Sequence, residues 1–224
     1  MHRLSHTPSA RAPHRSTPIR RIAVALAGAA TMLAALAAPA GVASAERART
    51  TSDTIATRAQ AALDALAGWE AAHTPTDFVR FVRARDAVAE LIATDLALPV
   101  AEVRDDLAAP ALVNQHAALA ALTQLGVPYR SRASEPGVAF DCSGLTLFAY
   151  GSAGVTVPRS SGDQMRSAAQ VDRDQAEVGD LVHYPGHVGM YLGGTIYVHS
   201  PEPGRTVEVI VMPERSLTFV DVTP

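Results

Sequence analysis

The chain contains a single cysteine, Cys142, within the segment Val138–Leu145. The residues around it predict a loop that gives way to a helix running from Cys142 to about Ala153. A thiol in the first turn of a helix faces unpaired backbone N–H groups and the positive end of the helix dipole, and both favour the thiolate. The sequence therefore offers a candidate nucleophile, provided that a base lies nearby.

Two histidines lie on adjacent predicted strands, His187 at the start of one and His199 at the end of the next. The turn between them is Leu192-Gly193-Gly194. With a two-residue loop, the two imidazoles face opposite sides of the sheet. With a three-residue loop, Tyr191 pairs with Thr195 and His187 lies directly across from His199. A shared face for the two histidines therefore predicts a loop of odd length.

Cys142, His187 and His199 then fit the roles of nucleophile, base and orienting residue. Cys142 would attack an acyl carbon, and His187 would hold the thiolate as an ion pair and later protonate the leaving amine. His199 would fix the ring orientation and tautomer of His187, while the backbone N–H of Cys142 donates to the oxyanion. A metal site is the competing interpretation of paired histidines, but no cysteine or carboxylate stands at ligand spacing, so no metal or cofactor is expected.

Residues 1–45 have the pattern of a secretory signal peptide. A basic leader precedes an apolar run from about Ile22 to Ala38, and Ala43-Ser44-Ala45 is a typical cleavage site that makes Glu46 the first mature residue. A membrane anchor is the alternative, although the apolar run is shorter than the roughly 20 residues that a span needs. We expect export to the cell exterior or wall, with no membrane span in the mature chain.

Charge and cysteine content narrow the class of partner. The leader holds five of the 19 basic residues and none of the 22 acidic ones, so its removal takes the net charge from −3 to about −8. Such an acidic chain is a poor partner for nucleic acid or an anionic membrane surface. A lone cysteine in an exported protein implies either an intermolecular disulfide or a reactive thiol, and we expect a monomer.

The order of the predicted elements indicates the fold class. After a polar, loose segment over residues 46–53, helical periodicity predicts a small helical region that ends near residue 110, with Thr74 as the N-cap of its second helix. Its aromatic residues Trp69, Phe78 and Phe81 either form a wall-binding or inhibitory surface, or pack against one another or against the downstream domain. Residues 111–224 form the main domain, in which helices precede five strands predicted at Asp180–Tyr184, His187–Tyr191, Thr195–His199, Thr206–Met212 and Ser216–Val222. Helices followed by short strands predict an α+β fold with an antiparallel sheet.

Several spaced motifs resemble the NlpC-type cell-wall cysteine peptidases, which are compact papain-like enzymes. The resemblance extends from about Gln115 to Val209 and includes His199 within Val198-His199-Ser200-Pro201. The other matching motifs are Leu125-Gly126-Val127-Pro128-Tyr129, Phe140-Asp141-Cys142-Ser143-Gly144-Leu145, Val157-Pro158-Arg159-Ser160-Ser161, Val178-Gly179-Asp180-Leu181 and His187-Val188-Gly189-Met190-Tyr191-Leu192-Gly193. The resemblance implies a papain-like α+β domain, with the nucleophile's helix packed on an antiparallel sheet of about five strands.

The same resemblance implies hydrolysis of peptidoglycan stem peptides, between D-isoglutamate and the following diamino acid. It assigns Cys142, His187 and His199 to the catalytic triad. It also places five residues along the substrate groove: Tyr129, Asp141, Ser143, Arg159 and Ser160. Tyr129 would lend its hydroxyl near the oxyanion, Asp141 and Ser143 would contact the free amine of the peptide, and Ser160 is equally a candidate helix N-cap.

One segment departs from the family pattern. The family commonly follows the tyrosine with a Trp-Gly-Gly strand, whereas residues 130–137 here form a polar loop. The choice of amide is therefore open. An N-acetylmuramoyl-L-alanine amidase and a non-catalytic wall-binding module are the two alternatives to the endopeptidase.

Overall fold

The structure, a computed structural model, describes residues 40–212 and 216–223. Its helices are α1 (Ala40–Ala72), α2 (Pro75–Asp95), α3 (Val100–Ala108), α4 (Leu112–Leu122), α5 (Cys142–Ser152) and α6 (Ser161–Ser167). Its strands are β1 (Ser134–Glu135), β2 (Ala139–Phe140), β3 (Ala169–Val171), β4 (Leu181–Tyr184), β5 (His187–Tyr191), β6 (Ile196–His199), β7 (Glu208–Val211) and β8 (Thr218–Asp221).

Helix α1 begins earlier than the sequence suggested. The predicted loose segment over residues 46–53 is helical throughout, so that prediction was wrong. The first residues of the segment, Glu46 to Arg49, are all good helix formers. The threonine hydroxyls that follow donate back to carbonyls one turn earlier, as Thr50 does to Glu46. Most of the predicted signal peptide lies outside the described residues. Among the helices that the structure describes, none is long and apolar enough to cross a membrane.

The N-terminal helices pack on the rest of the chain. Thr74 caps α2 as predicted, accepting a hydrogen bond from the backbone N–H of Asp77 at 3.2 Å. The aromatic residues contact one another, with ring centroids of Trp69 and Phe78 5.4 Å apart and those of Phe78 and Phe81 6.3 Å apart. Phe81 is fully buried, and it belongs to one apolar core that also holds buried residues of α3, α4, α5 and the central strands.

An antiparallel six-stranded sheet organises the second half of the chain, in the order β3-β8-β4-β5-β6-β7. It contains the five predicted strands together with the short β3, and the α+β expectation is confirmed. Helix α5 packs against β5, and side chains such as Leu145 and Met190 are fully buried in the shared core. This packing fixes the N-terminal end of α5, and with it Cys142, relative to the central strands.

The β5–β6 turn sets the relation between the two histidines. Met190 pairs with Val198, Tyr191 pairs with Tyr197, and the N–H of Leu192 donates to the carbonyl of Ile196 at 3.0 Å. The loop therefore has three residues, numbers 193–195, which is the odd length that the sequence predicted but shifted by one position. Continuing this register, His187 is not directly across from His199. The two lie diagonally on the same face, two residues apart, which is within side-chain reach.

Candidate active site

Cys142 is the first residue of α5 and is half-buried. Asp141 is the N-cap of the helix, and its side chain accepts a hydrogen bond from the backbone N–H of Gly144 at 2.7 Å. An aspartate N-cap is among the strongest helix-start signals, which is why the sequence located this element correctly. The backbone N–H of Val188 hydrogen-bonds the thiol, so Cys142 lies beside the start of β5, one residue from His187.

Opposing effects act on the pKa of the Cys142 thiol. Burial raises the pKa of Cys142 above its ordinary value and is the largest of these effects. Hydrogen bonds from the backbone N–H groups of Val188, Ser143 and Cys142 lower it, while the charge of Asp141 raises it further. The net pKa is raised, contrary to the expectation that the helix terminus alone would favour the thiolate. In this state the thiol therefore depends on a neighbouring base to ionise.

His187 and His199 are in direct contact. The Nε2 atom of His187 lies 2.8 Å from the Nδ1 atom of His199, and the rings meet edge to face at a centroid distance of 5.0 Å. Both side chains are buried, with 7% of His187 and 3% of His199 exposed. The ring of Tyr184 stacks on His187 at 4.9 Å, and Tyr197 lies 4.6 Å from His199. Two imidazoles so enclosed have few alternative orientations.

Glu208, a carboxylate that the sequence analysis missed, extends the two histidines to a row of three side chains, His187, His199 and Glu208. Glu208 pairs directly with His199 across β6 and β7, and its Oε1 atom lies 3.3 Å from His199 Nε2. Arg205 also donates to Glu208. Burial raises the pKa of Glu208, but the hydrogen bonds from His199 and Arg205 outweigh it and leave the net pKa below its ordinary value. Glu208 is therefore an anion at neutral pH.

The ionised Glu208 determines which ring nitrogen of His199, and in turn of His187, carries a proton. A carboxylate only accepts hydrogen bonds, so His199 Nε2 carries a proton and, in the neutral ring, Nδ1 is the acceptor. His187 Nε2 must then carry the proton of the 2.8 Å contact. The lone pair of neutral His187 is left on Nδ1. The contacts thus determine which nitrogen of a neutral His187 is free to accept a proton.

The residues predicted to bind substrate surround one groove. A cavity of about 470 Å³ is lined by Tyr129, Asp141, Cys142, Ser143, Arg159 and Ser160, together with Arg132 and Ser161. Burial raises the pKa of Tyr129, and the charges of Cys142 and Asp141 raise it further, which keeps the phenol protonated and able to donate. All five predicted groove residues are therefore brought together beside the thiol, and their roles stay predictions.

Four of the five predicted groove residues already make side-chain hydrogen bonds within the protein. Arg159 forms a paired contact with Asp141, from Nη1 to Oδ1 at 3.0 Å and from Nη2 to Oδ2 at 2.9 Å, and Nη1 also donates to Ser143 Oγ at 3.0 Å. Ser160 is the N-cap of α6, accepting from the N–H of Asp163 at 3.2 Å and donating to its carboxylate at 2.6 Å. Its capping role is observed. Arg159 orients the carboxylate next to Cys142.

Replacing Glu208 by glutamine tests whether the anion tunes the base. We expect kcat/KM to fall about tenfold with KM nearly unchanged, because a charge-assisted hydrogen bond worth up to about 3 kcal/mol is replaced by a neutral one worth about 1 kcal/mol. Without the anion the protonated histidines are less stable, so the acidic limb of the pH–rate profile should move to lower pH. Steady-state kinetics between pH 5 and 9 measure both effects. Glu202→Gln, an exposed carboxylate near Arg205, is the control, and equal profiles for the two variants would contradict the role of Glu208.

An α+β domain with a cysteine at a helix N-terminus, packed on an antiparallel sheet that carries two histidines, is a papain-like domain. Residues 126–218 match the model of the NlpC/P60 family. Residues 126–218 therefore belong to this family. The resemblance identified from the motifs is thereby confirmed.

Three relatives illustrate the similarity. The chain is 44% identical over 94 residues to a gamma-D-glutamyl-L-lysine dipeptidyl-peptidase of Bacillus cereus, covering 38% of this chain and 28% of that protein. It is 33% identical over 103 residues to the murein DD-endopeptidase MepH of Escherichia coli, covering 42% and 38%. Among solved structures it is similar to RipD of Mycobacterium tuberculosis, described as a non-catalytic NlpC/p60 domain protein, with 31% identity, 50% of this chain and 98% of that chain covered, and a TM-score of 0.42. The chain spans less than two fifths of each of the two curated relatives.

Proposed function

We propose that the protein is a secreted cysteine endopeptidase that hydrolyses peptidoglycan stem peptides between D-isoglutamate and the following diamino acid. The observation that carries the proposal is the buried row of His187, His199 and Glu208 beside Cys142, since a purely binding domain has no need for a base held in one tautomer. The names of the Bacillus cereus and Escherichia coli relatives support peptidoglycan as the substrate.

The chemistry begins at the thiol. His187 Nδ1 takes the proton of Cys142, and the sulfur attacks the γ-carbonyl carbon of the isoglutamyl residue, forming a C–S bond. The backbone N–H of Cys142 donates to the oxyanion, and the phenolic O–H of Tyr129 adds a second donor. The C–N bond then breaks, and His187 returns the proton to the leaving amine. Water hydrolyses the thioester, which releases the isoglutamyl carboxylate and restores the thiol.

His199 and Glu208 act through His187 in this scheme. When His187 accepts the proton it becomes a cation in a buried site, where an unpaired charge is costly. His199 accepts the hydrogen bond of that cation, and the anionic Glu208 polarises His199 in turn. The row therefore stabilises the ion pair of thiolate and imidazolium that precedes attack.

In this proposal the protein is exported, and three segments of the chain have different roles. Residues 1–45 serve as the signal peptide, residues 46–110 form the helical N-terminal region and residues 111–224 form the catalytic domain. The shared apolar core supports a bracing role for the N-terminal helices. The site of action is then the cell wall.

Digestion of purified peptidoglycan, analysed by mass spectrometry, tests the activity. We expect new free amino groups on the diamino acid and new carboxylates on isoglutamate with the wild-type protein, and none with Cys142→Ala. Intact stem peptides released from muramic acid would instead indicate an amidase. Loss of cross-linked dimers alone would indicate the activity named for the Escherichia coli relative. Binding to the wall with unchanged muropeptides would leave only the non-catalytic function.

A further inference from the structure

A positive charge on the groove wall is left over after the other charges are paired. The charged side chains that line the groove are Arg132, Asp141 and Arg159. Asp141 and Arg159 neutralise each other through the paired contact. In the described part of the chain, the guanidinium of the exposed Arg132 has neither an acidic partner nor a side-chain hydrogen bond. We propose that Arg132 binds a carboxylate of the stem peptide next to the scissile amide, an inference that rests on the proposed endopeptidase function.

Asp141 has no capacity left to pair with Arg132. Its Oδ1 atom accepts from Gly144 N at 2.7 Å and from Arg159 at 3.0 Å. Its Oδ2 atom accepts from Arg159 at 2.9 Å and from the backbone N–H of Arg132 at 2.8 Å. The carboxylate is thus held by the Arg132 backbone, while the Arg132 side chain keeps its full charge for another acceptor.

The backbone of Arg132 is fixed relative to the nucleophile. Its φ of 63° lies in the left-handed region, which costs a residue other than glycine roughly 1 kcal/mol and persists only where surrounding contacts enforce it. The contacts are Arg132 N to Asp141 Oδ2, Asp141 N to the carbonyl of Ala133 at 3.0 Å, and Ala133 N to the carbonyl of Arg130 at 3.1 Å. The loop is therefore tied to the residue that precedes Cys142.

The loop's other arginine provides a contrast. Arg130 already pairs with Glu135 at 2.6 Å, both are exposed, and neither lines the groove. The two arginines are two residues apart on the same loop, yet one is neutralised outside the groove and the other is unpaired within it. The segment that departs from the family pattern thus places one uncompensated cation in the groove that Cys142 also lines.

The substrate offers the matching anion. A γ-linked D-isoglutamate keeps its α-carboxylate, which stands on the acyl side of the scissile amide. A diamino acid that carries a second carboxyl group places another carboxylate on the amine side, whereas lysine has none there. Arginine binds carboxylates through two parallel hydrogen bonds, which discriminate a carboxylate from an amide of the same shape.

Cleavage of four related peptides by the wild-type full chain and by its arginine variants tests the proposal. The substrates are L-Ala–D-isoGlu–L-Lys, the D-isoGln analogue, and the two peptides with meso-diaminopimelate in place of lysine, each with the C-terminal α-carboxyl group of the diamino acid amidated. We expect Arg132→Gln to lower kcat/KM about tenfold on the peptide that carries the recognised carboxylate and to leave its neutral analogue nearly unchanged. Arg132→Lys should retain part of the preference, and Arg130→Gln, the matched control, should retain all of it. If the effect of Arg132 is lost with the isoglutamine peptides, Arg132 binds the α-carboxylate of isoglutamate. If it is lost with the lysine peptides, Arg132 binds the second carboxylate of meso-diaminopimelate.

Two results would overturn the inference. One is an equal loss on charged and neutral peptides, which points to a structural role for Arg132, and the other is no loss on any peptide. A binding measurement separates these from failure of the proposed function. Calorimetry with Cys142→Ala, with and without Arg132→Gln, reports the same preference without cleavage. If the wild-type protein cleaves nothing but the Cys142→Ala protein still binds the carboxylate peptide tighter through Arg132, only the endopeptidase proposal fails.

Discussion

Replacing His187 by glutamine is expected to lower kcat/KM for stem-peptide cleavage by roughly 10³-fold, the middle of the range for losing a positioned acid–base group. The physical reason is the state of the thiol. Burial raises the pKa of Cys142 despite three backbone N–H donors, so the helix terminus alone does not ionise it. In the proposed mechanism the thiolate is formed by proton transfer to His187, a buried histidine whose lone pair the contacts with His199 and Glu208 leave on Nδ1.

The pH dependence makes this prediction specific. The wild-type protein should give a bell-shaped profile whose limbs belong to the Cys142 and His187 pair together. In His187→Gln the only remaining route is direct ionisation of the thiol. Its residual rate should therefore rise along a single alkaline limb, with an apparent pKa above the ordinary thiol value of about 8.5. Rates measured from pH 5 to 10 with a soluble stem peptide give both profiles.

His183 supplies the control for this experiment. It lies on β4, pairs with Val188 across the sheet and is half-buried, and burial lowers its pKa. His183→Gln should retain the bell shape and most of the rate. A His187→Gln protein that keeps both limbs, or a His183→Gln protein that loses as much activity, would contradict the assignment of His187 as the base.

Local signals explain why the start of α5 was predictable. Asp141 caps the helix, Cys142 opens it, and the cap depends on residues only three positions apart. The parity of the β5–β6 hairpin followed instead from requiring both histidines on one face of the sheet, because the two glycines alone allow a loop of either two or three residues. The exact register was not predictable, since Gly193 and Gly194 both have positive φ and either can take the loop position that shifts the pairing.

Glu208 and Arg132 were missed because their roles arise from distant contacts. Glu208 reaches His199 through the register of β6 and β7, and eight residues with no regular strand separate the two strands. Nothing in that segment fixes the pairing from sequence alone. Arg132 looked like one of several polar loop residues. Its unpaired charge became evident only once the structure paired Arg159 with Asp141 and Arg130 with Glu135.

The start of α5 is also the place where one added methyl group should be most destabilising. A Cβ atom at Gly144 would lie 2.0 Å from the carbonyl oxygen of Ala133 and 2.9 Å from Asp141 Oδ1. The first of these is a backbone atom, and it is held in place by hydrogen bonds from Asp141 N at 3.0 Å and from Arg159 Nη2 at 3.3 Å. The helix and the loop must therefore move apart, because no flexible side chain can absorb the clash.

Gly144→Ala should accordingly lower the free energy of unfolding by about 3 kcal/mol, the upper range for overpacking, and abolish most activity by displacing Cys142. Gly151→Ala in the same helix is the matched control. Its Cβ would meet no heavy atom within 4 Å, so it should raise stability by about 0.5–1 kcal/mol, the ordinary gain of alanine over glycine in a helix. Urea denaturation of both variants measures the difference. Shifts of the same sign would show that the backbone at Ala133 yields to the added methyl group, and the close approach of loop and helix would then not be what fixes the nucleophile.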